Sequence, residues 1–355
     1  MKRYKVVMAG MGKRGMHHAT AFHANPRFEL AGICSTTEAR LQAAAAKFPH
    51  AQAGSDARSL ANSIKPDIFC FSTLPNLRSE MVQVGIDSGA KLIAFEKPLA
   101  LSSAEGMKTK QMLDAAKVKA VISHQHRYGA HYRKVHDIIS SGAIGCVNTV
   151  YGTATGWMTH MMSHLIDYAL WFNTGGSAQW VMAQAAGRGK LADSHPSPDY
   201  IAGFIHFSNG VRGIIDCGAG APDVQEVPYW WRKCRIGAQG SEGFAEVMTG
   251  GGWRAMTRNG ALKGEGSMNY DLDMPPYVQE MADWLDDEKR IHPCNFATAY
   301  EGFEIMMAMC RSVIEGGQIA LPLTSGMDEI AALREKLPSK KVLFSLAENA
   351  KEYPA

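Results

Sequence analysis

The chain has 355 residues, 46% of them hydrophobic, too long for one average domain and enough to build the cores of two. Its 37 basic and 34 acidic side chains are spread evenly to a formal charge of +3, which argues against a nucleic-acid partner; its seven cysteines form no CxxC pair, which argues against a disulfide framework or a cysteine zinc site. No apolar run reaches the ~18 residues of a membrane span, and the strand pattern beginning at residue 4 has no signal-peptide character, so a cytoplasmic protein that does not bind membranes is expected.

From Tyr4 to Ser123 short apolar runs alternate with amphipathic segments, which predicts a parallel sheet with crossover helices. Strands are expected over residues 5–9, 28–34, 68–72, 92–95 and 120–123, and helices over about 16–24, 39–47, 77–88 and 103–117. This is an α/β Rossmann domain, assigned to residues 1–124. After His124 the pattern changes. A helix over 130–141 is followed by alternating runs at 147–155, 180–187, 200–207, 211–217 and 235–238, joined by Gly, Asn and Ser turns. Ser208-Asn209-Gly210 is the clearest hairpin signal. Helices recur over 158–172, 278–288 and 297–315. Residues 125–355 are therefore expected to form a C-terminal α+β domain on a large, mostly antiparallel open sheet, with a helical tail from about Thr324.

Gly10-Met11-Gly12-Lys13-Arg14-Gly15 lies between the first predicted strand and helix. In that context Gly10 permits the turn, Gly12 lets backbone approach a pyrophosphate, and Gly15 lets helix pack on strand. Lys13 and Arg14 add positive charge beside the helix N-terminus, where phosphate oxygens are favoured. At the end of the second strand, where an NAD enzyme offers Asp or Glu to the ribose, this chain reads Cys34-Ser35-Thr36-Thr37-Glu38-Ala39-Arg40. Small hydroxyls at Ser35 and Thr36 with Arg40 accommodate a 2′-phosphate. NADP is expected over NAD, with Glu38 the residue that can still take the acidic role.

Farther along, Ser72-Thr73-Leu74-Pro75-Asn76, Glu96-Lys97-Pro98, Ser141-Gly142-Ala143-Ile144-Gly145, His164-Leu165-Ile166-Asp167 and Leu321-Pro322-Leu323 complete a pattern over nearly the whole chain. It resembles the Gfo/Idh/MocA family of nicotinamide-dependent oxidoreductases, which includes glucose-fructose oxidoreductases and inositol 2-dehydrogenases. The resemblance implies that the Gly10–Gly15 loop, Ser72, Thr73, Leu74, Asn76, Glu96 and Lys97 line the dinucleotide. It also implies that Lys97 lies between nicotinamide and substrate, that hydride moves at a sugar or cyclitol carbinol, and that the open sheet builds a homodimer or homotetramer.

Oxidising a secondary alcohol needs a hydride acceptor at carbon and a base at the hydroxyl. His164 matches the family's acid/base histidine, and an imidazole titrating near ~6.5 suits that task. On a helix it shares a face with His160, four residues before, and Asp167, three after. Here the chain departs from the pattern, because many family members carry Asp where His160 stands. His160 can hydrogen-bond substrate or relay protons. His160 and His164 can also share a metal ion, although two histidines alone are a poor zinc signature. Arg127 and His126 fall where the family makes cofactor and substrate contacts. Trp157, Tyr229 and Trp230 can wall the apolar face of a sugar ring, or simply pack in a core or interface. Two rivals to the dehydrogenase remain open at this point. One is a glycoside-cleaving enzyme that uses transient cofactor redox or a bound metal; the other is a non-catalytic nucleotide or sugar sensor on the same fold.

Overall fold

The structure is a computed structural model, and it describes residues 2–188, 190–228 and 232–339. In chain order its elements begin β1 (Tyr4–Ala9), α1 (Lys13–Ala24), β2 (Phe28–Cys34), α2 (Glu38–Lys47), β3 (Gln52–Gly54), α3 (Ala57–Ile64), β4 (Ile68–Phe71), α4 (Arg78–Asp87), β5 (Leu92–Phe95), α5 (Ser103–Ala116) and β6 (Lys119–Ile122). There follow α6 (Ala130–Ser140), β7 (Val147–Ala154), α7 (Ser163–Phe172), β8 (Ala178–Ala186), β9 (Tyr200–Phe207), β10 (Arg212–Gly218), β11 (Cys234–Gly240), β12 (Gly243–Met248), β13 (Gly252–Thr257) and β14 (Gly260–Gly264). The chain closes with α8 (Tyr270–Asp286), α9 (Phe296–Glu315), β15 (Ile319–Ala320) and α10 (Glu329–Lys336). Among the described residues no helix is long and apolar enough to cross a membrane.

Two compact units result. The first comprises residues 1–100, 105–128 and 269–299, and the second 101–104, 129–268 and 300–355. In the first, six parallel strands take the order β3-β2-β1-β4-β5-β6, the doubly wound arrangement the alternating pattern predicts. Its core is continuous from Val6, Met8, Ile68 and Leu92 through Phe22 of α1 to Met274, Tyr277, Val278 and Met281 of α8. Distant in sequence, α8 thus supplies part of the apolar layer that covers α1. The sequence pattern gave no sign of β3 or α3: β3 has only three residues, and α3 is an eight-residue helix begun by Asp56, whose carboxylate accepts from Ser59 N at 2.7 Å.

Among the described residues of the second unit nine strands run β14-β13-β12-β11-β7-β10-β9-β8-β15, and only β7 and β10 pair in parallel. Ser208-Asn209-Gly210 does turn β9 into β10, with Gly210 at φ +79°. α7 approaches this sheet closely at Gly152, where a Cβ would lie 3.0 Å from Leu165 Cβ. Glycines that interrupt the alternation hide β12 to β14 in the sequence.

Of the helical tail expected from about Thr324, the described residues include α10, which is tied down by a buried charge pair; residues 340–355 lie outside the described residues. Arg311 Nε donates to Glu329 Oε1 at 2.9 Å, Ser103 N donates to Glu329 Oε2 at 2.8 Å, and Glu329 is wholly buried. Removing one partner of such a pair strands the other charge. Glu329→Ala should therefore cost about 3 to 5 kcal/mol. A denaturant midpoint equal to that of the parent protein would show that this pair does not anchor α10.

Candidate active site

In the first unit the glycine loop is built by close backbone approach. Gly10 has φ +89°, and a Cβ there would lie 2.3 Å from the Ser72 carbonyl oxygen; a Cβ on Gly15 would lie 1.9 Å from the Gly10 carbonyl oxygen. Gly10 N donates to Cys34 O and Ser72 N to Ala9 O, both at 2.8 Å, so the ends of β1, β2 and β4 are stitched around the turn, with Met11 buried inside it. Gly12 differs. Its Cβ position is open except for Arg40 Nη1 at 3.8 Å, and as N-cap of α1 it offers no side-chain cap, with no acid in the first turn. The unsatisfied N–H groups and positive dipole end of α1 are thus left for an anion. Such a cradle fits a dinucleotide pyrophosphate.

Lys13 is exposed at this helix end, but Arg14 is not beside it as a phosphate ligand. Its guanidinium turns inward, Nε donating to Glu96 Oε1 at 3.0 Å, while its plane lies 4.0 Å from the Tyr270 ring centre. The buried carboxylate and the aromatic face offer a drier, stronger pairing than the loop's exposed side. At the end of β2, Ser35 is buried and its Oγ accepts from Thr37 N at 3.2 Å, whereas Thr36 and Arg40 are exposed. Glu38 accepts from Gln42 Nε2 at 2.7 Å along α2.

Lys97 follows β5. The loop from Ser72 to Asn76 lies close by, because the buried Arg78 guanidinium donates to Thr73 O at 3.0 Å, Pro98 O at 3.2 Å and Lys97 O at 3.4 Å. Leu74 and Asn76 are exposed on that loop. Glu96 is held by Arg14 and by His18 Nε2, which meets Oε1 at 2.8 Å. Burial pushes the Glu96 carboxyl up, but Arg14, His18 and Lys97 outweigh it and hold it well below the usual carboxylate range. Burial pushes the Lys97 amine down, Glu96 opposes this, and Arg14 and Arg78 add to it, leaving Lys97 at about 8. A lysine poised there exchanges a proton near neutral pH.

His126 and Arg127 lie buried in the 3-10 turn over residues 125–128. His126 Nδ1 is 3.4 Å from Asp273 Oδ2, and its ring stacks on Tyr270 with centres 6.1 Å apart. Burial holds this imidazole below its ordinary value, Asp273 opposes, and Arg14 and Lys97 reinforce the effect.

In the second unit the predicted helix over 158–172 is not one regular helix. Residues Met158–Met162 form a π turn that runs into α7, and such turns change which side chains share a face. His160 meets His195, with ring centres 4.1 Å apart, while buried His164 shares a hydrogen bond of 3.2 Å with the Tyr168 hydroxyl. Asp167 is 1% exposed within α7. Lys190 Nζ sits 5.2 Å over the Trp157 ring, and Ser197 Oγ accepts from Met158 N at 2.9 Å. Residues 190–199 therefore form a wall beside the π turn. It is secured by Arg334 Nε donating to Leu191 O and Arg188 Nε donating to Leu337 O, both at 2.7 Å. Tyr229 and Trp230 lie outside the described residues. Among the described residues no group of three His, Cys, Asp or Glu side chains is placed to hold a metal ion.

Sequence reasoning missed Arg78, His18, Tyr270, Asp273, Lys190 and His195. Only His18 left a signal, since it follows Arg14 by four residues on one helix face. The others come from loops or helices remote in the chain.

Comparison with known proteins agrees with the fold. The profile of the oxidoreductase family with an NAD-binding Rossmann fold matches residues 4–124. The scyllo-inositol 2-dehydrogenase (NADP(+)) IolW of Bacillus subtilis is 23% identical over 185 residues, which are 47% of this chain and 51% of that protein. The chain thus matches about half the length of this relative. An oxidoreductase from Agrobacterium radiobacter, solved with NAD+, L-tartaric acid and magnesium, superposes with a TM-score of 0.77 at 16% identity, over 90% of this chain and 98% of that one. Myo-inositol 2-dehydrogenase from Lactobacillus plantarum superposes with a TM-score of 0.72 at 17% identity, over 90% and 99%. At these identities the two structures establish a common fold. With the glycine loop seated as the dinucleotide fingerprint requires, residues 4–124 are similar to the NAD-binding Rossmann domain of the Gfo/Idh/MocA oxidoreductases.

Proposed function

We propose that the protein is an NAD(P)-dependent dehydrogenase acting on a secondary hydroxyl, or the matching ketone, of a sugar, glycoside or cyclitol. The observation that carries this reading is Lys97, directly after β5 and beside the fixed Glu96 carboxylate, with its amine brought down to about 8. The bound nicotinamide supplies the hydride acceptor or donor. In the first unit Lys97 binds the reacting oxygen and takes or returns its proton; for the second unit the family pattern supports His164 as an acid/base, with His160 and Trp157 as ring contacts. The inositol dehydrogenases among the similar proteins support a polyol substrate.

NADP is preferred over NAD in this reading. Ser35 and Thr36 replace the carboxylate that would repel a 2′-phosphate, and Arg40 reaches to within 3.8 Å of the Gly12 Cβ position, at the mouth of the loop. The Bacillus subtilis relative, named for NADP(+), points the same way. The open sheet of the second unit supports a homodimer or homotetramer. There Met182, Phe204 and Ile214 are neighbours across β8, β9 and β10 and stand 51%, 58% and 41% exposed beside a cleft of about 470 Å³.

The deciding assay titrates the purified protein with NAD and NADP, then screens sugars, cyclitols and glycosides while following reduced-nicotinamide absorbance and product mass. Accumulation of reduced cofactor with one substrate supports the dehydrogenase; glycoside cleavage with no net cofactor change would replace it with the cleaving enzyme. Lys97→Ala should lower kcat by roughly the 10² to 10⁴ typical of a proton-transfer group, while dinucleotide binding persists. In the parent protein, alcohol oxidation needs neutral Lys97 and should rise with pH through about 8, whereas ketone reduction needs the ammonium and should fall over the same range. An unaltered rate in Lys97→Ala would remove Lys97 from the mechanism. Ser35→Asp should shift preference toward NAD, measured as the ratio of kcat/KM for the two cofactors; an unchanged ratio would refute the assignment of Ser35 to the ribose site.

A further inference from the structure

Glu96 is buried at 7% exposure, yet both groups on its Oε1 come from α1: Arg14 Nε at 3.0 Å and His18 Nε2 at 2.8 Å. Arg14 and His18 are four residues apart and occupy one helix face, so a single rigid element places both donors. Arg14 is fixed in turn by the Tyr270 ring at 4.0 Å, and Tyr270 stacks on His17 at 4.7 Å. His18 is wholly buried and held below its ordinary value by that burial, with Glu96 opposing and Arg14 reinforcing, so it remains neutral and adds a donor without adding charge. The charge balance at Glu96 therefore depends on Arg14 on one side and Lys97 on the other.

We propose that Arg14 and Glu96 are a positioning pair for Lys97: the helix that opens the dinucleotide loop fixes, through this ion pair, how readily the Lys97 amine holds its proton. The inference rests on the reading of Lys97 as the site's proton carrier. Within the first unit Glu96 from the end of β5, Arg14 from α1 and Arg78 from α4 act on Lys97. His126, opposed by Asp273 of α8, feels Lys97 in return. Cys70 of β4 and Tyr277 of α8 both feel Glu96, and burial raises each of them, so neither contributes charge. Arg78 is engaged with the backbone at Thr73, Lys97 and Pro98, which leaves Arg14 and Glu96 as the two groups that can be exchanged without opening the loops around Lys97.

The two members of the pair act on Lys97 in opposite senses. Glu96 favours the ammonium and Arg14 disfavours it. In Arg14→Gln, Glu96 keeps its His18 donor and stays seated, but the opposing cation is gone, so the ammonium should persist to higher pH. In Glu96→Gln the attraction is lost and the amine should deprotonate at lower pH. A pair that served structure alone would lower stability in both variants and move Lys97 in neither.

The test uses the full chain. Acylation of Lys97 is followed against pH by quantifying its peptide by mass spectrometry, alongside thermal melting and the pH profile of kcat, in the parent, Arg14→Gln, Arg14→Lys and Glu96→Gln. The Lys97 midpoint should lie near 8 in the parent, rise by about one pH unit in Arg14→Gln and fall by about as much in Glu96→Gln, as expected for one charge at close range. Arg14→Lys, which keeps the charge, should return it toward the parent value. Unmoved midpoints in the two Gln variants would overturn the proposal, whatever happens to the melting temperature. If the midpoints move in opposite directions while the kcat profile stays still, the positioning pair stands and the assignment of Lys97 as proton carrier falls.

Discussion

The close seating of α1 against the ends of β1 and β4 is the constraint on which the rest of the first unit depends. It is possible only because Gly10 and Gly15 lack side chains where a Cβ would strike the Ser72 and Gly10 carbonyl oxygens. That approach has two consequences. It leaves the first N–H groups of α1 uncapped at the loop for a pyrophosphate, and it brings the next turn of the helix, with Arg14 and His18, within hydrogen-bond reach of Glu96. Cofactor cradle and lysine environment are both built by the N-terminal half of one helix.

Electrostatics then determines what the site can do. Several cationic or potentially cationic groups, Arg14, His18, Arg78, Lys97 and His126, gather where burial penalises charge. Burying so many cations is tolerable only where anions and hydrogen bonds compensate. Glu96 compensates Arg14, Asp273 faces His126, and backbone carbonyls of Thr73, Lys97 and Pro98 receive Arg78. His18 responds to the same penalty by staying neutral. Burial brings the Lys97 amine down to about 8 against the opposing pull of Glu96.

The second unit solves a different problem, that of holding polar side chains on an irregular segment. The π turn at Met158–Met162 removes His160 from a regular helical register and sets it against His195, while α7 keeps His164 against Tyr168. Residues 190–199 have little secondary structure of their own, and the segment is held by Arg188, which donates to Leu337 after α10, and by Arg334 of α10, which donates to Leu191. α10 in turn is fixed by the buried Arg311 and Glu329 pair. A tail that reads in sequence as an appendage thereby carries the wall beside His160.

The sequence by itself determined the features that follow from local rules. Alternating apolar runs and amphipathic helices specify the parallel sheet, because strand and helix periodicities expose different residues to a core. The spacing of Gly10, Gly12 and Gly15 specifies the loop, because those steric demands arise within six residues. Glu96-Lys97-Pro98 marked Lys97 as a candidate site lysine by resemblance, and Ser208-Asn209-Gly210 marked a hairpin by its turn chemistry. Only the tertiary structure decided which way Arg14 points, that His18 and Arg78 serve the loops around Lys97, that Tyr270 and Asp273 of α8 join the first unit, and that His195 meets His160. Each of those contacts depends on the direction of a side chain and on partners up to some 260 residues away, and burial, charge pairing and close packing settle both only once the chain has folded.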